Sequence, residues 1–89
     1  MTVDKEKKAE IITQFRLKES DSGSVDVQVA LLSERINRLT EHLKLYPQDR
    51  GSRHALHGVI GQRRRFLRYL HRAAPERYYS LINRLSLRE

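Results

Sequence analysis

The chain predicts an all-α fold of four helices, with helices two to four forming an antiparallel bundle and a loosely packed helix at the N-terminal end. Three observations lead there. Apolar residues recur at spacings of three and four over long stretches, the period of a helix face. Two prolines and four glycines punctuate those stretches at a few places. Nowhere do apolar and polar residues alternate in the manner of a half-buried strand, and there is no internal repeat or low-complexity tract. The 89 residues make one small domain, 1–89, of a size that buries roughly 60–65% of the surface its unfolded chain exposes.

The first helix is expected from a cap at Asp4 to about Arg16. Its apolar positions are Ala9, Ile11, Ile12 and Phe15, a narrow face that predicts the lightest packing of the four. Ser20-Asp21-Ser22-Gly23-Ser24 is a turn signal, in which Gly23 is expected to supply a positive φ and Ser22 or Ser24 to cap the next helix. Asp26 then falls favourably in a first turn.

The second helix is placed from Val25 to about Leu45. Val25, Val29, Leu32, Ile36, Leu39 and Leu43 form a sustained stripe, about 30 Å long at 1.5 Å per residue. Pro47 cannot continue it. Asp49 is placed to cap a third helix from Arg50 to about Ala73, with Leu56, Val59, Ile60, Phe66, Leu67 and Leu70 as its apolar side. Gly58 and Gly61 inside that helix cost roughly 1 kcal/mol each relative to alanine, which a close approach by a second helix or by a partner would offset. Pro75 suits the first position of a fourth helix, whose stripe is Tyr78, Leu81, Ile82 and Leu85. Connections this short make sequential helices antiparallel neighbours.

Composition narrows the function. There is no cysteine, which removes disulfides and thiolate metal sites. The charged amino terminus lacks the apolar run of a signal peptide, and no segment reaches the roughly 20 apolar residues of a membrane span. A soluble, cytoplasmic protein is expected, with no membrane partner. The net charge of +7 is uneven: residues 1–49 carry eight Lys/Arg against nine Asp/Glu, while residues 50–89 carry ten Arg, no Lys and two Glu. Arginine is the better bidentate ligand for phosphate and stacks on planar groups. That bias points to nucleic acid.

The charge concentrates in Gly61-Gln62-Arg63-Arg64-Arg65-Phe66-Leu67-Arg68-Tyr69-Leu70-His71-Arg72, which has five arginines and no acidic residue. At about 100° per residue, Arg65 and Arg72 share a face with Tyr69 between them, and Arg64, Arg68 and His71 make an adjoining stripe. A solvated bundle face is the plain alternative, but ten arginines against two glutamates is not the mixed-sign surface of an ordinary domain. Catalysis finds no nucleophile elbow, phosphate-binding glycine loop or carboxylate pair on a shared apolar face. His54 and His57 lie three apart on one helix but lack a third ligand for a metal. No enzyme, cofactor or metal is expected.

The order of motifs adds a resemblance. Asp21-Ser22-Gly23-Ser24, Val27-Gln28-Val29-Ala30-Leu31-Leu32 and Arg35-Ile36-Asn37-Arg38-Leu39 are followed by Glu41-His42-Leu43, Gly61-Gln62-Arg63-Arg64-Arg65 and Leu67-Arg68-Tyr69-Leu70. In this order and spacing the chain closely resembles bacterial small-subunit ribosomal protein fifteen over essentially its whole length. The resemblance implies a four-helix structural protein that binds 16S ribosomal RNA at a three-way junction of the central domain. It places Ser22, Gly23, Gln28, Arg35, Arg65, Tyr69 and Arg72 at the junction; Arg64 and Arg68, on the adjoining stripe, are expected to bind ribosomal RNA as well. His42, Asp49 and Ser52 match a second family surface that reads a minor groove around a G·U/G·C element. Other small-subunit proteins, large-subunit ribosomal RNA across the subunit interface and the protein's own messenger are further partners it implies.

The chain departs from the family pattern in three places. Serine stands at Ser22 where threonine is usual, and it keeps the hydroxyl. The usual Asp-His-His-Ser run reads Asp49-Arg50-Gly51-Ser52, and a histidine often found near the end of helix two is Tyr46. Asp49 and Ser52 remain, so the minor-groove contact is expected to persist. Two rival readings lie in other classes. A DNA-binding helix-turn-helix regulator needs a short turn between short helices, and the helices here are long. A protein-interaction bundle would bind with weak salt dependence and no preference for RNA.

Overall fold

Ser24, in extended conformation, accepts the Val27 N–H on its side-chain oxygen at 3.3 Å and opens the longest uninterrupted apolar stripe of the chain. The computed structural model describes residues 5–16 and 23–85. The helices are α1 (Lys5–Phe15), α2 (Val25–Leu45), α3 (Arg50–Ala73) and α4 (Pro75–Leu85). Asp4 and Ser22, two of the capping residues expected from sequence, lie outside the described residues.

The α2 and α3 helices run antiparallel about the turn at 46–49. Leu39 clusters with Val59, and Ser33 meets Arg63, pairs whose positions straddle that turn almost symmetrically. Asp49 caps α3 by accepting the Ser52 N–H. The α3–α4 corner is tighter, with Ala74 as its single non-helical residue and its N–H bonded to the Leu70 carbonyl. Pro75 then fixes the first position of α4, where its missing N–H costs nothing.

The core has two parts joined by Phe66, which packs on both. At the four-helix end Ile11, Phe15, Val27, Val29, Ala30, Leu70, Tyr78, Leu81 and Ile82 are buried together. Beyond it α2 and α3 continue as a pair over a smaller cluster of Leu32, Leu39 and Val59. Three details differ from the sequence reading. Val27 and Ala30, off the expected stripe, are buried, because α1 and α4 cover flanks of α2 that a two-helix contact would leave wet. Ala9 is exposed, so α1 reaches the core through Ile11 and Phe15, with Ile12 packed beside them. Gly23 sits in a bend without a left-handed φ, and a Cβ there would meet nothing within 4 Å. Ser24, which follows it, is extended (φ −63°, ψ 160°).

Two polar links tie the ends together. Arg77 of α4 bonds the buried Asp26 at the start of α2. Arg84 lies with its guanidinium 4.1 Å from the centre of the Phe15 ring and donates to the Gln14 carbonyl at 2.6 Å. Both of these contacts to α1 come from one side chain of α4.

Candidate nucleic-acid interface

The α2–α3 hairpin has two flanks, and one hydrogen bond tells them apart. Arg63 donates to the Ser33 hydroxyl at 3.1 Å, and Ser33 in turn donates to the Val29 carbonyl at 2.8 Å. On α2, Ser33 and Arg35 lie roughly 80° to opposite sides of the core-facing stripe at ~100° per residue. Gln28 and His42 fall on Arg35's side. On α3, Gln62, Tyr69, Arg65 and Arg72 lie on the side away from Arg63 by the same geometry. The flank opposite Ser33 therefore gathers Gln28, Arg35 and His42 from α2 with Arg65, Tyr69 and Arg72 from α3.

On that flank Arg65, Tyr69 and Arg72 are all exposed, and Tyr69 keeps 57% of its surface in solvent. An aromatic so exposed between two arginines contributes little to the core. Arg35 is half-buried, and its Nε is shielded from solvent with no hydrogen-bond partner. Gly58 and Gly61 lie along the outward side of the same helix. A Cβ on Gly58 would touch nothing, and on Gly61 only the Arg65 Nη1 at 3.9 Å. Among the described residues no second helix comes close to either glycine, so close helix packing does not offset their cost.

At the hairpin's end three short polar side chains lock together. Asp49 takes the Ser52 N–H on Oδ1 at 3.0 Å and the Ser52 hydroxyl on Oδ2 at 2.8 Å, while the His42 Nε2 lies 2.8 Å from that same Oδ2. The Ser52 N–H first, then His42 and the Ser52 hydroxyl, stabilise the carboxylate and hold its pKa at about 2. The Tyr46 ring packs 4.9 Å from that of His42, and Arg53 closes the turn on the Pro47 carbonyl. The trio is thus rigid, and Asp49 still shows 38% of its side chain to solvent.

Arg64 and Arg68 do not join the Tyr69 flank. With Arg63, His71, Ile60, Leu67 and Tyr78 they line a groove of about 380 Å³ against α4, the adjoining stripe that the spacing suggested. Burial pushes the Arg63 guanidinium pKa down. Its bond to Ser33 makes it a structural arginine, which charge counting alone does not reveal. Gly23 lies exposed just ahead of α2, and Ser22 lies outside the described residues. His54 and His57 are exposed, and among the described residues no group of three or more His, Cys, Asp or Glu converges. No helix of the described residues is long and apolar enough to cross a membrane.

The fold and these surfaces define a small, basic, all-α protein with arginine-rich exposed flanks. The family model for ribosomal protein S15 matches residues 8–88. The chain is 54% identical to small ribosomal subunit protein uS15 of Caldanaerobacter subterraneus subsp. tengcongensis, covering 98% of this chain and 99% of that one. It is 54% identical to the protein of the same name from Dictyoglomus thermophilum and 52% to that from Chlamydia abortus, each over the full length of both chains. The chain belongs to the ribosomal protein S15 family. It is a structural ribosomal protein and not an enzyme.

Proposed function

We propose that the protein is a constituent of the small ribosomal subunit, resident with the ribosome in the cytoplasm, that binds 16S ribosomal RNA directly at a three-way junction of the central domain. The observation that carries this reading is the locked His42–Asp49–Ser52 trio at the end of the same hairpin flank that presents Arg65, Tyr69 and Arg72. A-form RNA displays 2′-hydroxyls and base edges in a wide, shallow minor groove. Short side chains of fixed geometry suit that groove, and arginines beside an aromatic suit phosphates and unstacked bases.

In this reading Gly23, Gln28, Arg35, Arg65, Tyr69 and Arg72 meet the junction, together with Ser22. His42, Asp49 and Ser52 read the minor groove about two to six helical turns away along the hairpin, at 3.6 residues per turn. The two contacts hold RNA helices at a set mutual orientation, so that binding selects one arrangement from a flexible junction ensemble. Arg64 and Arg68 widen the basic surface. The fixed junction becomes a platform for other small-subunit proteins, and the surface left outside it touches large-subunit RNA across the subunit interface. A messenger segment that imitates the junction would compete for the same residues.

Hydroxyl-radical footprinting of a central-domain junction fragment tests the assignment. Two separate protected patches are expected, one at the junction and one in a minor groove, the second alone lost with Asp49→Ala. A single diffuse footprint that Asp49→Ala leaves unchanged would contradict it.

A further inference from the structure

The groove between α3 and α4 is unlike the junction-facing flank. Tyr69 and His71 are two residues apart, so they leave α3 roughly 160° from one another at ~100° per residue. A single strand lying against Tyr69 does not reach His71 without wrapping around a helix about 10–12 Å across. The His71 side carries an ordered aromatic set of its own. The His71 ring stacks on Tyr78, centroids 4.3 Å apart and planes 22° from parallel. Tyr79 stands edge-on to His71 at 5.6 Å, and its hydroxyl lies 3.4 Å from His71 Nε2. Tyr78 is buried, whereas His71 and Tyr79 are exposed. The buried tyrosine thus backs a platform whose outer ring meets solvent.

Among the described residues, the cations around this platform, Arg63, Arg64 and Arg68, face no carboxylate in the groove. Arg64 and Arg68 are one helical turn apart and exposed, and neither engages a carboxylate among the described residues. The volume of about 380 Å³ falls within the ~300–1,000 Å³ span of clefts that hold small ligands.

We propose that this groove is a second RNA-binding surface, which takes an unpaired nucleotide of a single-stranded segment, its base stacked on His71 and its phosphates held by Arg64 and Arg68. The assignment deepens the ribosomal RNA reading by giving α3 two RNA segments, one on each flank. A stacked platform distinguishes an unpaired base from a duplex, which hides its base faces, and from an acidic peptide, which would use the arginines and leave the rings idle.

The test uses the full chain saturated with the junction fragment, to which an oligouridylate of roughly eight nucleotides bearing 4-thiouridine is added, a length inside the ~4–16-nucleotide range of single-strand sites. Photocrosslinks are expected at His71 or Tyr79. His71→Ala should weaken the oligouridylate about tenfold, the scale of one base–aromatic stack, with junction affinity unchanged. Arg68→Gln, which leaves the ring stack intact, should also weaken the oligouridylate. Crosslinks confined to the Tyr69 flank, or equal uptake by His71→Ala and Arg68→Gln, would overturn the proposal. So would oligoglutamate displacing the label as well as unlabelled oligouridylate does. Failure of the junction fragment itself to bind would sink the junction assignment instead, and the oligouridylate assay on the free chain would still decide the groove.

Discussion

His42 and Asp49 meet at 2.8 Å across the turn that joins α2 to α3, and the same Asp49 oxygen takes the Ser52 hydroxyl while its other oxygen caps α3. One carboxylate therefore fixes the end of a helix, the ring of a histidine and the rotamer of a serine. The carboxylate is depressed from the ordinary 3.8 to about 2 in the folded chain. A lowered folded pKa gives stability that is present above about pH 4 and is lost as the pH falls toward 2. Acid titration of the unfolding midpoint should show that loss, and Asp49→Asn should flatten the titration across that interval. An identical acid profile in the variant would remove Asp49 from this role.

Arg63 and Arg65 are two residues apart and do different work. Ser33→Ala deprives the half-buried Arg63 of its bond and should cost about 1 kcal/mol of stability in chemical denaturation. Arg65→Ala should leave stability near its original value and reduce the log–log salt slope of RNA binding by about one. An unchanged slope would place Arg65 outside the phosphate contacts.

Gly58 is an exposed helical glycine with open space where a Cβ would stand. Gly58→Ala should therefore stabilise the free protein by about 0.5–1 kcal/mol. Because Gly58 shares a side of α3 with Tyr69, the added methyl should weaken RNA binding. A variant that is both more stable and equally tight would show that no partner approaches there.

Arg84 is the α4 side chain that holds the end of α1, through the Phe15 ring and the Gln14 carbonyl. An exposed cation–π contact contributes about 0.5–1 kcal/mol. Arg84→Ala should accelerate amide hydrogen exchange in α1 a few-fold and leave α2 and α3 unchanged. Equal acceleration in all helices would mean that α1 unfolds only with the whole domain.

Much of this architecture is legible in the sequence because the helices carry strong local signals. Val25 to Leu45 and Arg50 to Ala73 are bounded by Ser24, Pro47, Asp49 and Pro75, residues whose side chains or missing N–H act at helix ends. The positions that sequence reading misses are those fixed by a third element. Val27 and Ala30 are buried because α1 and α4 cover α2, and the Arg63–Ser33 bond depends on how the hairpin's flanks face. Gly23 reads as a left-handed turn residue because glycine among serines usually is one, yet its φ lies outside that region. The trio at the hairpin tip could be assembled from family resemblance alone, since His42 and Asp49 are seven residues apart with a helix terminus and a turn between them.

Junction recognition stands or falls on binding of the protein to a central-domain junction fragment of small-subunit ribosomal RNA, measured across a salt series with excess duplex RNA present. Binding that survives the competitor, with a slope equivalent to several phosphate contacts, is the predicted result. Complete displacement by generic duplex RNA would contradict the account, reducing the Tyr69 flank and the Asp49 trio to an unspecific basic surface.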